Sequence, residues 1–167
     1  NIPFLWRLSS ELNVEQLKRA LNQLIARHEI LRTQYIVDGN EVKQRVAENV
    51  AADFKEVTTR LTDEQQIIQA FMQPFNLEQP SQMRVRYIHG PHEDYLFMDT
   101  HHSINDGMSN TILLADLNAL YQEKSLPNLS LQYKDYSEWM AHRDLSIQRR
   151  YWLQQFEDGV PVLNLSL

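Results

Sequence analysis

Short apolar runs and periodic apolar positions divide the chain into elements. Residues 2–8, beginning Ile2-Pro3-Phe4-Leu5-Trp6, read as a strand. Val14, Leu17, Leu21, Leu24, Ile25 and His28 recur at helical spacing and predict an amphipathic helix over 14–28. Asn13 stands before it as an N-cap, with Gln16 at the capping-box position. Residues 31–37 and 41–46 read as two strands around the turn signal Asp38-Gly39. Residues 54–57 form a short strand, and Thr62 is the expected cap of a helix that runs to about residue 73, before Pro74. Strands over 83–89 and 94–100 flank the turn cluster His89-Gly90-Pro91-His92. A tight loop, 101–107, leads into a helix of 109–122, and helices near 132–142 and 146–157 follow.

Helices and strands therefore mix without strict βαβ alternation. The expected class is α/β (α+β), with helices packed on a mixed sheet. No repeat or long linker divides the chain. Both ends are apolar, from Asn1-Ile2-Pro3-Phe4 to Leu163-Asn164-Leu165-Ser166-Leu167, and read as a piece of a longer polypeptide.

Composition narrows the function classes. The 167 residues carry 16 basic and 22 acidic side chains, a net charge of −6, which argues against a nucleic-acid backbone as partner. No apolar run approaches the ~18–20 residues of a membrane helix, and no membrane partner is expected. There is no cysteine, so disulfides, thiolate metal sites and cysteine nucleophiles are excluded together. The same fact fits a reducing compartment, and a cytoplasmic location is expected. With four glycines, neither a phosphate loop nor a dinucleotide fingerprint is present, and no G-x-S-x-G elbow appears.

One segment carries chemistry: Asp99-Thr100-His101-His102-Ser103-Ile104-Asn105-Asp106-Gly107. Histidine moves a proton near neutral pH. Asp106 lies a few residues from both rings and can orient or charge-stabilise the loop. Gly107 can adopt positive φ and bring its N–H close to a ligand, and the following helix N-terminus favours developing negative charge. The set suits acyl transfer to an amine or hydroxyl. Read alone, the paired histidines equally suit satisfied polar residues beside a helix cap. A metal site is a weaker reading, because His101, His102 and Asp106 lack a clear further ligand; none is expected. His89 and His92 read as exposed on a hairpin tip. A second candidate is Arg27-His28-Glu29-Ile30-Leu31-Arg32-Thr33. Arg27 reads as a solvated basic helix end. Arg32 reads as turned inward, where a buried guanidinium needs a carboxylate, Asp106 being the obvious one.

Together these segments resemble the condensation domains of nonribosomal peptide synthetases. Residues His101–Gly107 match that family's HHxxxDG pattern, shared with other carrier- and CoA-dependent acyltransferases. Arg27–Thr33 resembles its RHExLRT segment, and Tyr133-Lys134-Asp135-Tyr136-Ser137-Glu138-Trp139 resembles its YxDYxxW segment. The order is right, and the likeness covers residues 1–157. Such domains have two lobes, each resembling chloramphenicol acetyltransferase. The resemblance implies that 1–157 is the N-terminal lobe, without its extreme N-terminal motif region, and that 158–167 begins a crossover to a second lobe.

The resemblance implies amide formation in antibiotic-type peptide biosynthesis. A donor acyl thioester on one carrier protein's phosphopantetheine arm is attacked by an aminoacyl amine on another. The implied partners are donor and acceptor peptidyl carrier proteins, the second lobe and a neighbouring adenylation domain. No cofactor is expected to bind this chain directly. His102 carries over as the catalytic histidine. His101 is expected to pack under the loop, Asp106 to pair with Arg32, and Gly107 to leave room for the arm. Ser103-Ile104-Asn105 fill variable positions, so an epimerisation domain of the same scaffold and a noncatalytic carrier-docking lobe stay open. Cyclisation domains replace the two histidines with aspartates and are disfavoured. The fragment alone is expected to be inactive and to expose an apolar face.

Overall fold

A computed structural model of the chain describes residues 1–160. The element order is β1 (Ile2–Arg7), α1 (Val14–Arg27), β2 (Thr33–Asp38), β3 (Glu41–Val46), β4 (Asp53–Thr58), α2 (Glu64–Phe71), β5 (Met83–His89), β6 (Asp94–Thr100), α3 (Gly107–Tyr121), α4 (Tyr133–Ala141) and α5 (Ser146–Gln155). Two compact units emerge, residues 1–132 and 133–167. Residues 161–167, most of the expected crossover, lie outside the described residues.

In the first unit four strands form one sheet in the order β1-β6-β5-β4. β1 and β6 are antiparallel, as are β5 and β6, whereas β4 and β5 are parallel and joined through α2. The sheet is mixed, as expected. Strand alternation sorts its side chains onto two faces. Met83, Val85, Met98, Phe4 and Trp6 join the core beneath α1 and α3, with Leu17, Leu21, Leu24 and Leu113. Leu5, Val57, Ile88, Tyr95 and Phe97 join Ile67 of α2 on the other face. Leu21, Leu24 and Leu31 are completely buried. Truncating any of them to alanine should cost roughly 2–5 kcal/mol.

Local chemistry sets the boundaries. Asn13 caps α1 by accepting from the Gln16 N–H. Gln16 does not complete the capping box: its amide donates to the Tyr121 carbonyl, and the Tyr121 hydroxyl accepts from the Asn13 N–H. The start of α1 is thus tied to the end of α3. Asp63, not Thr62, caps α2, because its carboxylate accepts from the Gln66 N–H. The expected strand over 31–37 opens two residues later. Glu29–Arg32 form a turn of 3₁₀ helix first. Gly39, at φ +63°, makes the β2–β3 turn. Gly90 makes the β5–β6 turn, where a Cβ would meet the Glu93 carbonyl oxygen at 2.5 Å.

The second unit contains α4 and α5, neither with a buried residue. Tyr133, Tyr136, Trp139, Tyr151, Trp152 and Phe156 are all exposed. Their rings form local chains, Tyr133–Tyr136–Trp139 on α4 and Tyr151–Trp152–Phe156 on and after α5. Among the described residues no helix is long and apolar enough to cross a membrane.

Candidate functional site

The β5–β6 ladder delivers the two-histidine loop. Met83 opens β5 opposite Thr100, the last residue of β6. The ladder continues one step, with the His101 N–H on the Gln82 carbonyl at 2.9 Å. The Ile104 N–H then bonds the His101 carbonyl at 3.1 Å and turns the chain. Within this turn Ser103 presents its N–H (3.2 Å) and its hydroxyl (2.8 Å) to His101 Nδ1. An amide can only donate, so Nδ1 is the acceptor and the neutral ring carries its proton on Nε2. This ring meets the Phe75 ring nearly perpendicular, 6.1 Å between centroids. Burial pushes the His101 pKa down and keeps the ring neutral. His101 therefore packs within the loop.

His102 is exposed, and among the described residues neither of its ring nitrogens has a hydrogen-bond partner. The variable positions do the anchoring. Ile104 is buried in the core beneath α1 and α3. Asn105, also buried, donates to the Thr100 hydroxyl at 2.9 Å and to the Asn110 side-chain carbonyl. From the β2 side, the Tyr35 hydroxyl donates to the Ser103 carbonyl at 3.3 Å.

Asp106 is the N-cap of α3. Its Oδ1 accepts from the Ser109 N–H at 2.8 Å and from the Ser109 hydroxyl at 2.6 Å. These bonds stabilise the carboxylate and hold its pKa down, with a smaller contribution from His102. Gly107 is the first residue of α3, and a Cβ there would meet nothing within 4 Å. It does not adopt positive φ, so the conformational freedom expected of it is not used; what it leaves is open space.

The Arg32–Asp106 pair expected from the sequence does not form. Arg32 does turn inward, but its guanidinium donates to the Ala47 carbonyl at 2.6 Å and to Glu29 at 3.4 Å. The reason is local: the 3₁₀ turn sets Glu29 and Arg32 three residues apart on one side, at the base of the β2–β3 hairpin. Asp106 meanwhile is held by the helix it caps. Arg27 also departs from its solvated reading. It is about five-sixths buried, with Nε 2.9 Å from Asp116 on α3 and Nη1 2.6 Å from the Pro127 carbonyl. His28 Nε2 meets the same Asp116 oxygen at 2.7 Å. The Arg27–Thr33 segment thus clamps α1 to α3 and does not reach the two-histidine loop.

Sequence reasoning missed a buried ion pair beside the loop. Arg84 and Asp99 face each other across β5 and β6, with Nη1–Oδ2 at 3.3 Å. The Asp99 side chain is wholly buried, and burial pushes its pKa up against the pull of Asn1 and Arg84. A charge at an inward position of each of two apolar strands was the available signal. A cleft of about 870 Å³, lined among others by Gln16, Arg19, Arg27, Glu123, Lys124 and Gln132, contains no residue of 101–107. Among the described residues no three His, Asp or Glu side chains gather as a metal site.

The chain matches the Condensation domain family over residues 1–167. It belongs to the condensation-domain family. It is 37% identical to bacitracin synthase 3 of Bacillus licheniformis and 40% identical to tyrocidine synthase 3 of Brevibacillus parabrevis, each over 172 aligned residues and 99% of this chain. The chain spans 3% of the length of either synthase. A similar solved structure is the epimerization domain from the third module of tyrocidine synthetase B, with TM-score 0.80 and 20% identity. The match covers 99% of this chain and 41% of that one. The mixed α/β architecture read from the sequence is therefore a condensation-domain fold, the chloramphenicol acetyltransferase-like lobe that the resemblance implied.

Proposed function

We propose that this condensation domain joins two carrier-borne groups through an amide bond at His102. The acceptor amine attacks the carbonyl of the donor thioester. The C–N bond forms, the C–S bond breaks, and the proton given up by the amine offsets the charge of the departing thiolate. The observation that carries this reading is the exposed His102 ring with both nitrogens uncommitted, at the open mouth of α3. An imidazole assists such an attack by accepting the amine's proton or by orienting the amine, and either needs a free nitrogen lone pair. His101 is proposed to pack beneath it, and Asp106 to fix the start of α3. Gly107 leaves room for a phosphopantetheine arm brought by a partner carrier; this chain holds no cofactor of its own in the proposal.

The partners proposed are donor and acceptor peptidyl carrier proteins, a second lobe and a neighbouring adenylation domain. The cytoplasm is the proposed setting. We place residues 1–157 in the N-terminal lobe and assign 158–167 to the crossover. The aromatic side chains left exposed on α4 and α5 support further protein around this segment.

The test is single-turnover peptide formation by the intact synthetase with both carriers loaded. His102→Ala should slow it at least ~100-fold, the lower bound for loss of a positioned acid–base group. A wild-type rate would sink the assignment. Exchange of the aminoacyl α-proton with solvent, without amide formation, would select the epimerisation reading. Residues 1–167 alone should form no peptide.

A further inference from the structure

Behind the two-histidine loop lies a second set of contacts, and they converge on Arg84. On one side its guanidinium pairs with the wholly buried Asp99, which stands two residues before His101. On another, Nη1 donates to the Gln73 carbonyl at 2.6 Å and Nη2 to the Pro74 carbonyl at 3.1 Å. Its flat face lies over the Phe75 ring, 4.0 Å from the centroid. Phe75 in turn meets the His101 ring at 82°, nearly perpendicular. The helix-to-strand segment 72–82 is held from its other end as well. The Gln82 amide donates to the carbonyls of Asn76 and Gln79, and Ser81 sits at φ +69°, a left-handed conformation costly for a residue with a Cβ. The Leu77 carbonyl accepts from the Tyr35 N–H at 2.8 Å, and Tyr35 also touches the histidine loop at Ser103.

A guanidinium suits this place because it is planar and forked. It can bind two carbonyls and a carboxylate in its plane while stacking on an aromatic face. Phe75 is thereby fixed in two directions, and the ring it abuts is fixed with it. The His101 ring anchors the turn through both hydrogen bonds from Ser103, and His102 lies between those two residues in the chain.

We propose that Arg84 is a positioning residue for condensation: through Phe75 it sets the His101 ring, and through that ring the turn that presents His102. This rests on the catalytic reading of His102 given above.

Two substitutions in the intact synthetase test it. Arg84→Lys keeps a cation against Asp99 but removes the planar fork and the stacked face. Phe75→Leu keeps apolar volume and removes the aromatic ring that meets both Arg84 and His101. Each should lower kcat about tenfold, in the range that small misplacements of a reacting group produce, with KM for both loaded carriers unchanged. Because both act along one path, the double variant should be no slower than the slower single variant. The melting temperature of Phe75→Leu should stay within a few degrees of wild type. Should Arg84→Lys fail to fold, Phe75→Leu alone decides. Wild-type kcat in a folded variant, multiplicative loss in the double variant, or a change confined to KM would overturn the proposal. His102→Ala run alongside separates the two claims. If it abolishes turnover while Arg84→Lys and Phe75→Leu do not slow it, only the Arg84 role falls. If His102→Ala turns over normally, both fall.

Discussion

The β5–β6 hairpin carries histidines at both ends, and they meet different surroundings. His89 closes β5 at the turn end. Its Nε2 lies 2.7 Å from Glu56 and its Nδ1 3.2 Å from Asp94. Asp94 also accepts from the Tyr87 hydroxyl at 2.7 Å. The Glu56 hydrogen bond, with help from Asp94, raises the His89 pKa, while burial and Asp94 push the Tyr87 hydroxyl up to about 12. Each His89 nitrogen faces a carboxylate oxygen, which can only accept, so the ring that makes both bonds has no lone pair to offer an amine. At the other end His102 follows β6 by two residues and keeps both nitrogens uncommitted among the described residues. The pair teaches that carboxylates beside a histidine mark a structural latch at least as readily as chemistry. In this chain acids lie beside His28, His89 and His142, and His102 makes no such contact among the described residues.

Substituting both ends gives the largest expected contrast. His89→Gln should leave single-turnover peptide formation within about twofold of wild type, against the ~100-fold or greater loss for His102→Ala. Equal losses at the two ends would erase the distinction between latch and reactive ring.

Next in size is the latch on the helix side. Asp116→Ala strands Arg27 and His28, whose side chains are 15% and 11% exposed. Breaking a buried pair costs 3–5 kcal/mol, and the residual exposure here lowers the expectation to about 2–3 kcal/mol. Urea unfolding of the intact protein should show this as a lower midpoint with unchanged slope. A midpoint equal to wild type would mean that the clamp between α1 and α3 carries no stability.

What the sequence disclosed and what it hid follow from the range of the interactions. Many short-range rules worked, though the Gln16 capping box, the Thr62 cap and the positive φ of Gly107 did not form. Asp38-Gly39 and Gly90-Pro91 are turns, Asn13 caps α1, and the two strands around Gly90 run over the residues expected, 83–89 and 94–100. The loop with the two histidines was legible because its motif is contiguous. Partner choice was not legible. Arg32 found Glu29 three residues away, because a 3₁₀ turn formed where a strand was expected. Arg27 found Asp116, 89 positions along the chain, a pairing that depends on α1 lying against α3. The Arg84–Asp99 pair required the β5–β6 register before it could be seen.

Asp106 gives a smaller effect and corrects a sequence-based expectation. Its side chain holds the start of α3 through Ser109, with a weaker contribution from the Met108 N–H. Asp106→Ala should therefore lower the melting temperature less than Asp116→Ala does, and Asp106→Asn, which keeps a capping oxygen, should recover most of the loss. A loss as large as that of Asp116→Ala would point to a buried partner after all.

The smallest effect is one of pH, and its sign differs between the two ends of the hairpin. The His89 pKa is raised in the folded protein. Its contribution to stability is therefore fully present below the unfolded value of about 6.5 and is lost as pH rises through the folded value. The His101 pKa is lowered. Its contribution is fully present above about 6.5 and is lost as pH falls through the folded value. His89 is 36% exposed and Glu56 48%, so solvent screens the latch and the gain is modest. Urea midpoints of wild type and His89→Gln should therefore lie furthest apart on the acid side of neutrality and converge as pH rises. Wild type and His101→Gln should behave in the opposite way, diverging towards alkaline pH. A His89→Gln gap that stays constant with pH would show that the ring is not held charged, and the contrast with His102 would then rest on geometry alone.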